Sequence, residues 1–102
     1  MKTRYAITAK AYDKRGRLLG VGCNSYTKTH PLQAHFAKMA GEPYRKNLHA
    51  EIAAILKVGD KKIHKLQIFR FDKEGRPALS APCKTCQEAI RAYGIKKVEY
   101  SL

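Results

Sequence analysis

The first part of the chain alternates between apolar and polar residues. Over residues 3–12 the apolar positions fall on one side and the polar ones on the other, and a period of two is typical of a strand. Residues 13–17 contain the glycine that a tight turn favours, and residues 18–26 return as a second strand. Gly20 and Gly22 in that strand would let backbone or ligand come close. The pattern predicts an antiparallel hairpin.

Helical spacing follows the hairpin in three stretches. After His30-Pro31, apolar residues at helical spacing predict a short amphipathic helix that ends near Gly41. Residues 49–58 and 83–93 show the same periodicity, and a glycine follows each stretch as a stop signal. Residues 65–71 and 95–100 are predicted strands, the first apolar enough to be central in a sheet.

Apart from the short first helix, the order is strand, strand, helix, strand, helix, strand. Each strand–helix–strand unit should cross over right-handed and give parallel strands. The pattern predicts an α/β fold whose mixed sheet carries an antiparallel N-terminal hairpin and parallel strands flanked by helices. The helices at residues 49 and 83 should start at one edge, where sites in open α/β sheets form. At 102 residues, the chain is expected to be a single domain, residues 1–102.

Positive charge is the main compositional feature. The 21 Lys and Arg residues against 8 Asp and Glu give a formal net charge of +13. Such a charge promotes association with polyanions at low salt, but a solvated basic surface is an alternative interpretation. Under the functional interpretation the partner is a nucleotide phosphate, RNA or single-stranded DNA. Lys28, Arg45 and Lys46 are then candidate phosphate contacts.

Targeting signals are not visible in the sequence. No apolar run approaches the roughly 20 residues that a membrane span needs, and the charged start leads straight into the first strand pattern. Three cysteines, two of them close together, fit a reducing compartment better than a disulfide framework. We therefore expect a cytoplasmic protein with no membrane partner.

Two short motifs carry the candidate chemistry, His49-Ala50-Glu51 and Pro82-Cys83-Lys84-Thr85-Cys86. Zinc binds imidazole nitrogen and thiolate sulfur, and a catalytic zinc keeps three protein ligands and an open fourth position. Two cysteines three residues apart lie on one face of a helix, so both can reach one ion. We predict His49, Cys83 and Cys86 as zinc ligands. Glu51, which is not needed as a ligand, is predicted to transfer protons.

A structural zinc site is the main alternative. Such a site normally needs a fourth protein ligand, and no further cysteine or histidine has matching spacing. His30, His35 or Cys23 could in principle supply one. Cys23 is interpreted instead as a small buried apolar residue.

The motif His-x-Glu followed by Pro-Cys-x-x-Cys resembles the signature of the zinc-dependent cytidine deaminase superfamily. The resemblance extends from about Tyr5 to Tyr100. Residues 83–90 and 94–100 are most similar to the deoxycytidylate and tRNA-adenosine deaminase branches. Residues 24–31 resemble short deaminases carried by bacteriophages.

The resemblance implies a cytidine-deaminase-like layered fold and a zinc-dependent hydrolase. It would remove the amino group of cytidine, deoxycytidine or their monophosphates as ammonia, with Glu51 as the catalytic proton carrier. Asn24 would bind the sugar or nearby backbone of the substrate. The N–H of Ala50 and the carbonyl of Ala81 would orient the base. Lys28 is a candidate phosphate contact because it is near the presumed pocket in the sequence, and a solvated lysine is the alternative interpretation. The alternatives are a deaminase acting on RNA or single-stranded DNA, and a basic nucleic-acid-binding module with structural zinc.

The pattern departs from larger relatives at both ends. No helix precedes the first predicted strand and nothing follows the fourth, although in larger relatives such parts cover the sheet or complete the pocket. Apolar surface would then remain to be buried, so we expect a homo-oligomer.

Overall fold

Strands and helices alternate in the computed structural model, which describes residues 6–25, 29–42, 48–72, 74–78 and 83–100. The elements in these ranges are β1 (Ala6–Tyr12), β2 (Leu18–Cys23), α1 (Pro31–Met39), α2 (Ala50–Val58), β3 (Lys65–Phe71), β4 (Pro77–Ala78), α3 (Lys84–Ala92) and β5 (Lys97–Tyr100). Each longer element lies within a stretch that the sequence pattern predicts.

The strands form one mixed sheet with β3 at its centre. Strand β1 pairs antiparallel with both β2 and β3, so β2 and β3 run in the same direction on either side of it. On its other side β3 pairs in parallel with β5. The predicted mixed α/β sheet, its antiparallel hairpin and its central strand are therefore confirmed.

Strand β4 is an addition to the predicted set. It pairs antiparallel with the end of β3, through Arg70 with Ala78 and Phe71 with Pro77. No strand is predicted from the sequence between residues 71 and 83. A strand of two residues is too short to show a period, so only the pairing with β3 reveals it.

Helix α2 packs directly on the hairpin. Seven of its nine residues are buried, and the sheet residues Ala9, Ala11, Leu66 and Ile68 have no exposed surface. The closest approach is at Gly22, where an added Cβ would lie 2.6 Å from the Ala50 carbonyl oxygen. The sequence pattern leaves two explanations for this glycine, close approach of a ligand or close approach of backbone. The structure shows the second, because the neighbouring atoms belong to the backbone of α2.

Two turns of the molecule share the sequence pattern Asp-Lys-x-Gly-Arg, at residues 13–17 and 72–76. In each, the Asp Oδ1 accepts hydrogen bonds from the backbone N–H groups two and four residues later, and Oδ2 accepts one from the Arg Nε. The backbone N–H of the arginine is the main cause that lowers the pKa of Asp13 and of Asp72. The same local sequence therefore gives the same set of side-chain hydrogen bonds at two places in the sheet.

None of the helices in the described ranges combines the length and apolar character that a bilayer-spanning helix requires.

Candidate metal centre

The N-termini of helices α2 and α3 meet at one edge of the sheet. His49 is the N-cap of α2 and Cys83 is the N-cap of α3, both with extended backbone. Neither side chain makes a capping hydrogen bond to its own helix. The His49 Nδ1 atom instead lies 3.4 Å from the Cys83 sulfur and 3.3 Å from the Cys86 sulfur. Two sulfurs and one ring nitrogen therefore face one another.

The spacing of these three donor atoms fits zinc. They all lie within 4.8 Å of one another. Zinc–nitrogen and zinc–sulfur bonds of 2.0–2.3 Å at a tetrahedral angle place donor atoms about 3.5–3.8 Å apart, close to the observed distances. Within the described residues, no other histidine, cysteine or carboxylate joins this group. One nitrogen and two sulfurs with an open fourth position are characteristic of a catalytic zinc centre.

The electrostatics of the two cysteines already favour a thiolate. Interaction with the neighbouring Cys86 thiol, helped by His49, lowers the pKa of Cys83 to about 4. Interaction with Cys83 and burial raise the pKa of Cys86. Both residues also lie at the positive end of the α3 dipole, which stabilises negative charge. Because thiolates are the metal-binding form of cysteine, this end of α3 is prepared to hold a cation.

Glu51 lies beside the donor group without belonging to it. It is the second residue of α2 and is 6% exposed. Burial is the main cause that raises the pKa of this carboxyl, and contact with the Cys86 thiol opposes that shift. A raised pKa makes this carboxyl a stronger proton acceptor than an exposed one, which favours general acid–base chemistry. Its position next to an open metal position suits general acid–base chemistry.

Two polar residues that the sequence pattern does not predict stabilise the starts of the two ligand helices. The Gln33 side chain on α1 is fully buried, and its Oε1 accepts a hydrogen bond from the His49 backbone N–H at 3.1 Å. The Glu42 Oε1 accepts hydrogen bonds from the Thr85 backbone N–H at 3.2 Å and from the Thr85 Oγ1 at 3.0 Å. Gln33 fixes the start of α2, and Glu42 caps α3. The sequence signal available for Gln33 is a polar residue beside the apolar positions of the predicted first helix.

The predicted substrate-binding residues have different outcomes. The Asn24 Oδ1 accepts a hydrogen bond from the Ile7 N–H at 2.9 Å, so this side chain ties the end of β2 to β1. Ala50 is the first residue of α2 and is buried. Lys28 and Ala81 lie outside the described residues, as do Arg45 and Lys46. Substrate contacts by all of these residues stay predictions.

The three residues considered as a fourth zinc ligand do not join the group of His49, Cys83 and Cys86. Cys23 is exposed, with its sulfur 3.9 Å from the Thr8 Oγ1, so the expectation that it is buried is wrong. Alternation along β2 puts it on the face of the sheet opposite Gly22 and α2. The His30 Nδ1 accepts a hydrogen bond from the Leu32 N–H at 3.0 Å and caps α1. The His35 ring is exposed and lies against Phe36.

Solved structures of two deaminases have a similar fold. Cytidine deaminase from Mycobacterium tuberculosis matches with a TM-score of 0.55 and 22% identity, over 94% of this chain and 67% of that one. The dCMP deaminase from the cyanophage S-TIM5 in its apo form matches with a TM-score of 0.55 and 23% identity, over 92% of this chain and 64% of that one. This chain thus spans less than two thirds of the cyanophage enzyme. The likeness establishes a cytidine-deaminase-like fold.

The sequence itself gives a family match over almost its whole length. No curated protein matches it, but the family model for the cytidine and deoxycytidylate deaminase zinc-binding region matches residues 2–102. Zinc is the metal of this family, and His49, Cys83 and Cys86 form the group that can bind it. The chain therefore belongs to the cytidine and deoxycytidylate deaminase zinc-binding family.

Proposed function

We propose that this chain catalyses the zinc-dependent hydrolytic deamination of a cytosine-type nucleoside or nucleotide. The substrate is cytidine, deoxycytidine or one of their monophosphates, and the products are the uracil form and ammonia. The observation that carries the proposal is the grouping of His49, Cys83 and Cys86 within 4.8 Å, with the buried carboxyl of Glu51 beside them. Family membership supports the reaction class.

The site residues have separate roles in this proposal. His49, Cys83 and Cys86 would hold zinc, which makes a hydroxide nucleophile available near neutral pH. Glu51 accepts the proton of the attacking water and delivers it to the ring nitrogen of the base. Addition of the water oxygen to the ring carbon that carries the amino group forms the C–O bond and gives a tetrahedral adduct. Glu51 then transfers the second proton of that water to the amino group, the C–N bond breaks as the C=O bond forms, and ammonia leaves.

Four residues are proposed to position the substrate. The Ala50 N–H and the Ala81 carbonyl orient the base, Asn24 contacts the sugar, and Lys28 contacts a phosphate. The proposal treats residues 1–102 as one catalytic domain. It also places the protein in the cytoplasm, since a reducing compartment keeps the thiols of Cys83 and Cys86 available to the metal.

Ammonia release from a substrate panel tests this function. The panel contains cytidine, deoxycytidine, both monophosphates, adenosine and a cytosine-containing oligonucleotide. We expect turnover of a monomeric cytosine substrate, loss of turnover after chelation of zinc, and recovery when zinc is restored. Monophosphate preference would support the phosphate contact. Turnover of the oligonucleotide or adenosine alone, or no ammonia from the zinc-loaded protein, would contradict the proposal.

We also propose that the protein is a homo-oligomer that buries the face of the sheet opposite α2. Val21 lies on that face and is 37% exposed. Phe69 lies on the same face, because it pairs with Thr8 of β1. Burying apolar surface between copies stabilises an assembly. Sedimentation at micromolar concentration should give a mass above the 11.5 kDa of one chain. A species of that single-chain mass would contradict it.

A further inference from the structure

Three connections meet at the sheet edge opposite the metal centre. They are the turn at residues 13–17, the segment between α2 and β3, and the segment between α3 and β5. The His64 N–H donates to the Tyr12 carbonyl at 2.8 Å, and the Lys96 N–H donates to the His64 carbonyl at 3.1 Å. These hydrogen bonds join the end of β1, just before the turn, to the other two connections.

Two adjoining depressions lie along this edge, and we call them together the hairpin groove. The first has a volume of about 430 Å³ and is lined by Asp13, Lys14, Arg15, Arg17, Lys62, His64 and Lys96. The second, of about 450 Å³, shares Asp13, Arg17 and Lys62 with the first and adds Lys61, Leu18 and Leu19. Each volume equals that of many water molecules, at about 30 Å³ per molecule. The shared residues make the two depressions one elongated surface.

The charge of the hairpin groove is strongly unbalanced. Five Lys and Arg side chains line the first depression against the single carboxylate of Asp13. That carboxylate already accepts the Arg17 Nε at 3.0 Å. Within the described residues, none of Lys14, Arg15, Lys62 and Lys96 forms an ion pair. Four positive charges of the first depression therefore have no carboxylate partner in the part of the chain that the structure describes.

The ends of the nearby helices do not account for these lysines and arginines. A basic residue in the last turn offsets the negative end of a helix dipole, and Lys57 of α2 and Arg91 of α3 occupy those positions. Residues 14–17, Lys62 and Lys96 lie in connecting segments instead. A concave surface lined by one sign of charge attracts counter-ions of the opposite sign. The expected ligand is an extended anion.

We propose that the hairpin groove binds the phosphodiester backbone of a nucleic-acid strand. Two adjoining basic depressions suit a row of phosphates better than a single anion. Apart from the His64 ring, no aromatic side chain among the described residues lines either depression, so a stacking platform for bases is missing. The groove therefore contacts phosphates, and its binding does not depend on base sequence.

The test is fluorescence anisotropy with a labelled thymidine oligonucleotide over a range of salt concentrations. Thymine lacks the amino group that a deaminase removes, so this binding does not depend on the reaction proposed for the metal centre. The variant Lys62→Gln/Lys96→Gln removes two groove charges. The matched control Lys38→Gln/Arg91→Gln removes two charges elsewhere, from α1 and from α3.

We expect only the groove variant to lose salt-dependent affinity. Two lost contacts should reduce the slope of log K against log salt by about 1.4, or about 0.7 for each contact with a single strand. This corresponds to about 25-fold weaker binding at 0.1 M salt if both proteins bind alike at 1 M. The variant Lys62→Arg/Lys96→Arg should keep the affinity of the original chain.

Three outcomes would overturn the proposal. Equal losses in the groove variant and the control would assign the binding to diffuse surface charge. An oligonucleotide that does not bind at low salt would exclude a nucleic-acid partner. A groove that binds inorganic tripolyphosphate but not the oligonucleotide would belong to a small phosphate ligand instead.

Discussion

Replacement of Glu51 by glutamine is expected to lower deamination by about 10²–10⁴-fold, the usual contribution of a positioned general acid–base group. Glutamine has nearly the same shape, so the pocket around this 6% exposed side chain should persist. It cannot, however, exchange a proton with water or with the base. Since Glu51 lies outside the group of donor atoms, zinc should stay bound at one ion per chain. Ammonia release and zinc content, measured on the same sample, check both parts.

A second glutamate provides the control for Glu51→Gln. Glu88 lies on α3, and its Oε1 is 3.4 Å from the Arg91 guanidinium. Glu88→Gln should leave both turnover and zinc content unchanged, because a partly exposed ion pair of this kind contributes little. If Glu51→Gln keeps the turnover of the original chain, Glu51 is not the proton carrier. If it loses zinc as well as activity, its role is to support the metal site.

Gly22→Ala is expected to destabilise the fold by about 3 kcal/mol, the upper part of the range for overpacking. The added Cβ would lie closest to the Ala54 nitrogen, and 2.6 Å from the Ala50 carbonyl oxygen and 2.7 Å from the Ala53 carbonyl carbon. These are backbone atoms of α2, so no side-chain rotation can relieve the overlap. Either the helix or the strand must move. Urea unfolding monitored by circular dichroism measures the loss.

Gly20→Ala is the matched control on the same strand. Its added Cβ would lie 3.2 Å from the Val58 Cγ2, a side-chain methyl group that can shift. We expect a change within about 1 kcal/mol, because the reduced freedom of the unfolded chain offsets a mild overlap. Gly22→Ala should also lower activity, since α2 begins beside His49 and carries Glu51. Equal stabilities for the two variants would show that the helix yields easily at Gly22.

Most of the fold could be predicted from hydrophobic periodicity. The hairpin, the central strand and the two ligand helices each contain several residues at regular spacing, and local pattern suffices for such elements. Strand β4 could not be predicted, because its two residues are defined by pairing with Arg70 and Phe71 alone. The expected burial of Cys23 failed for a related reason. Burial depends on which face of β2 meets α2, and the sequence near Cys23 does not contain that information.

The ligands of the candidate metal centre could be predicted from the sequence, but the residues that stabilise the ligand helices could not. His49, Cys83 and Cys86 have a chemistry and spacing that few other sites require, so the motifs point to one another across the chain. The hydrogen bonds of Gln33 to His49 and of Glu42 to Thr85 join residues 16 and 43 positions apart. Glutamine and glutamate are common in many environments, and only the assembled fold shows that these two meet helix N-termini. The part of the chain from α1 to Glu42 thus supports the start of both ligand helices.

The hairpin groove and the metal centre lie at opposite ends of the central strand. The seven residues of β3 span about 23 Å at 3.3 Å per residue. The Debye length at physiological ionic strength is about 8 Å, and two unit charges 23 Å apart in water interact by only about 0.2 kcal/mol before screening. Occupancy or substitution at one end therefore has almost no electrostatic effect on the other. A small domain with this arrangement can change its charge at one end of the sheet and keep the reactivity of the other end constant.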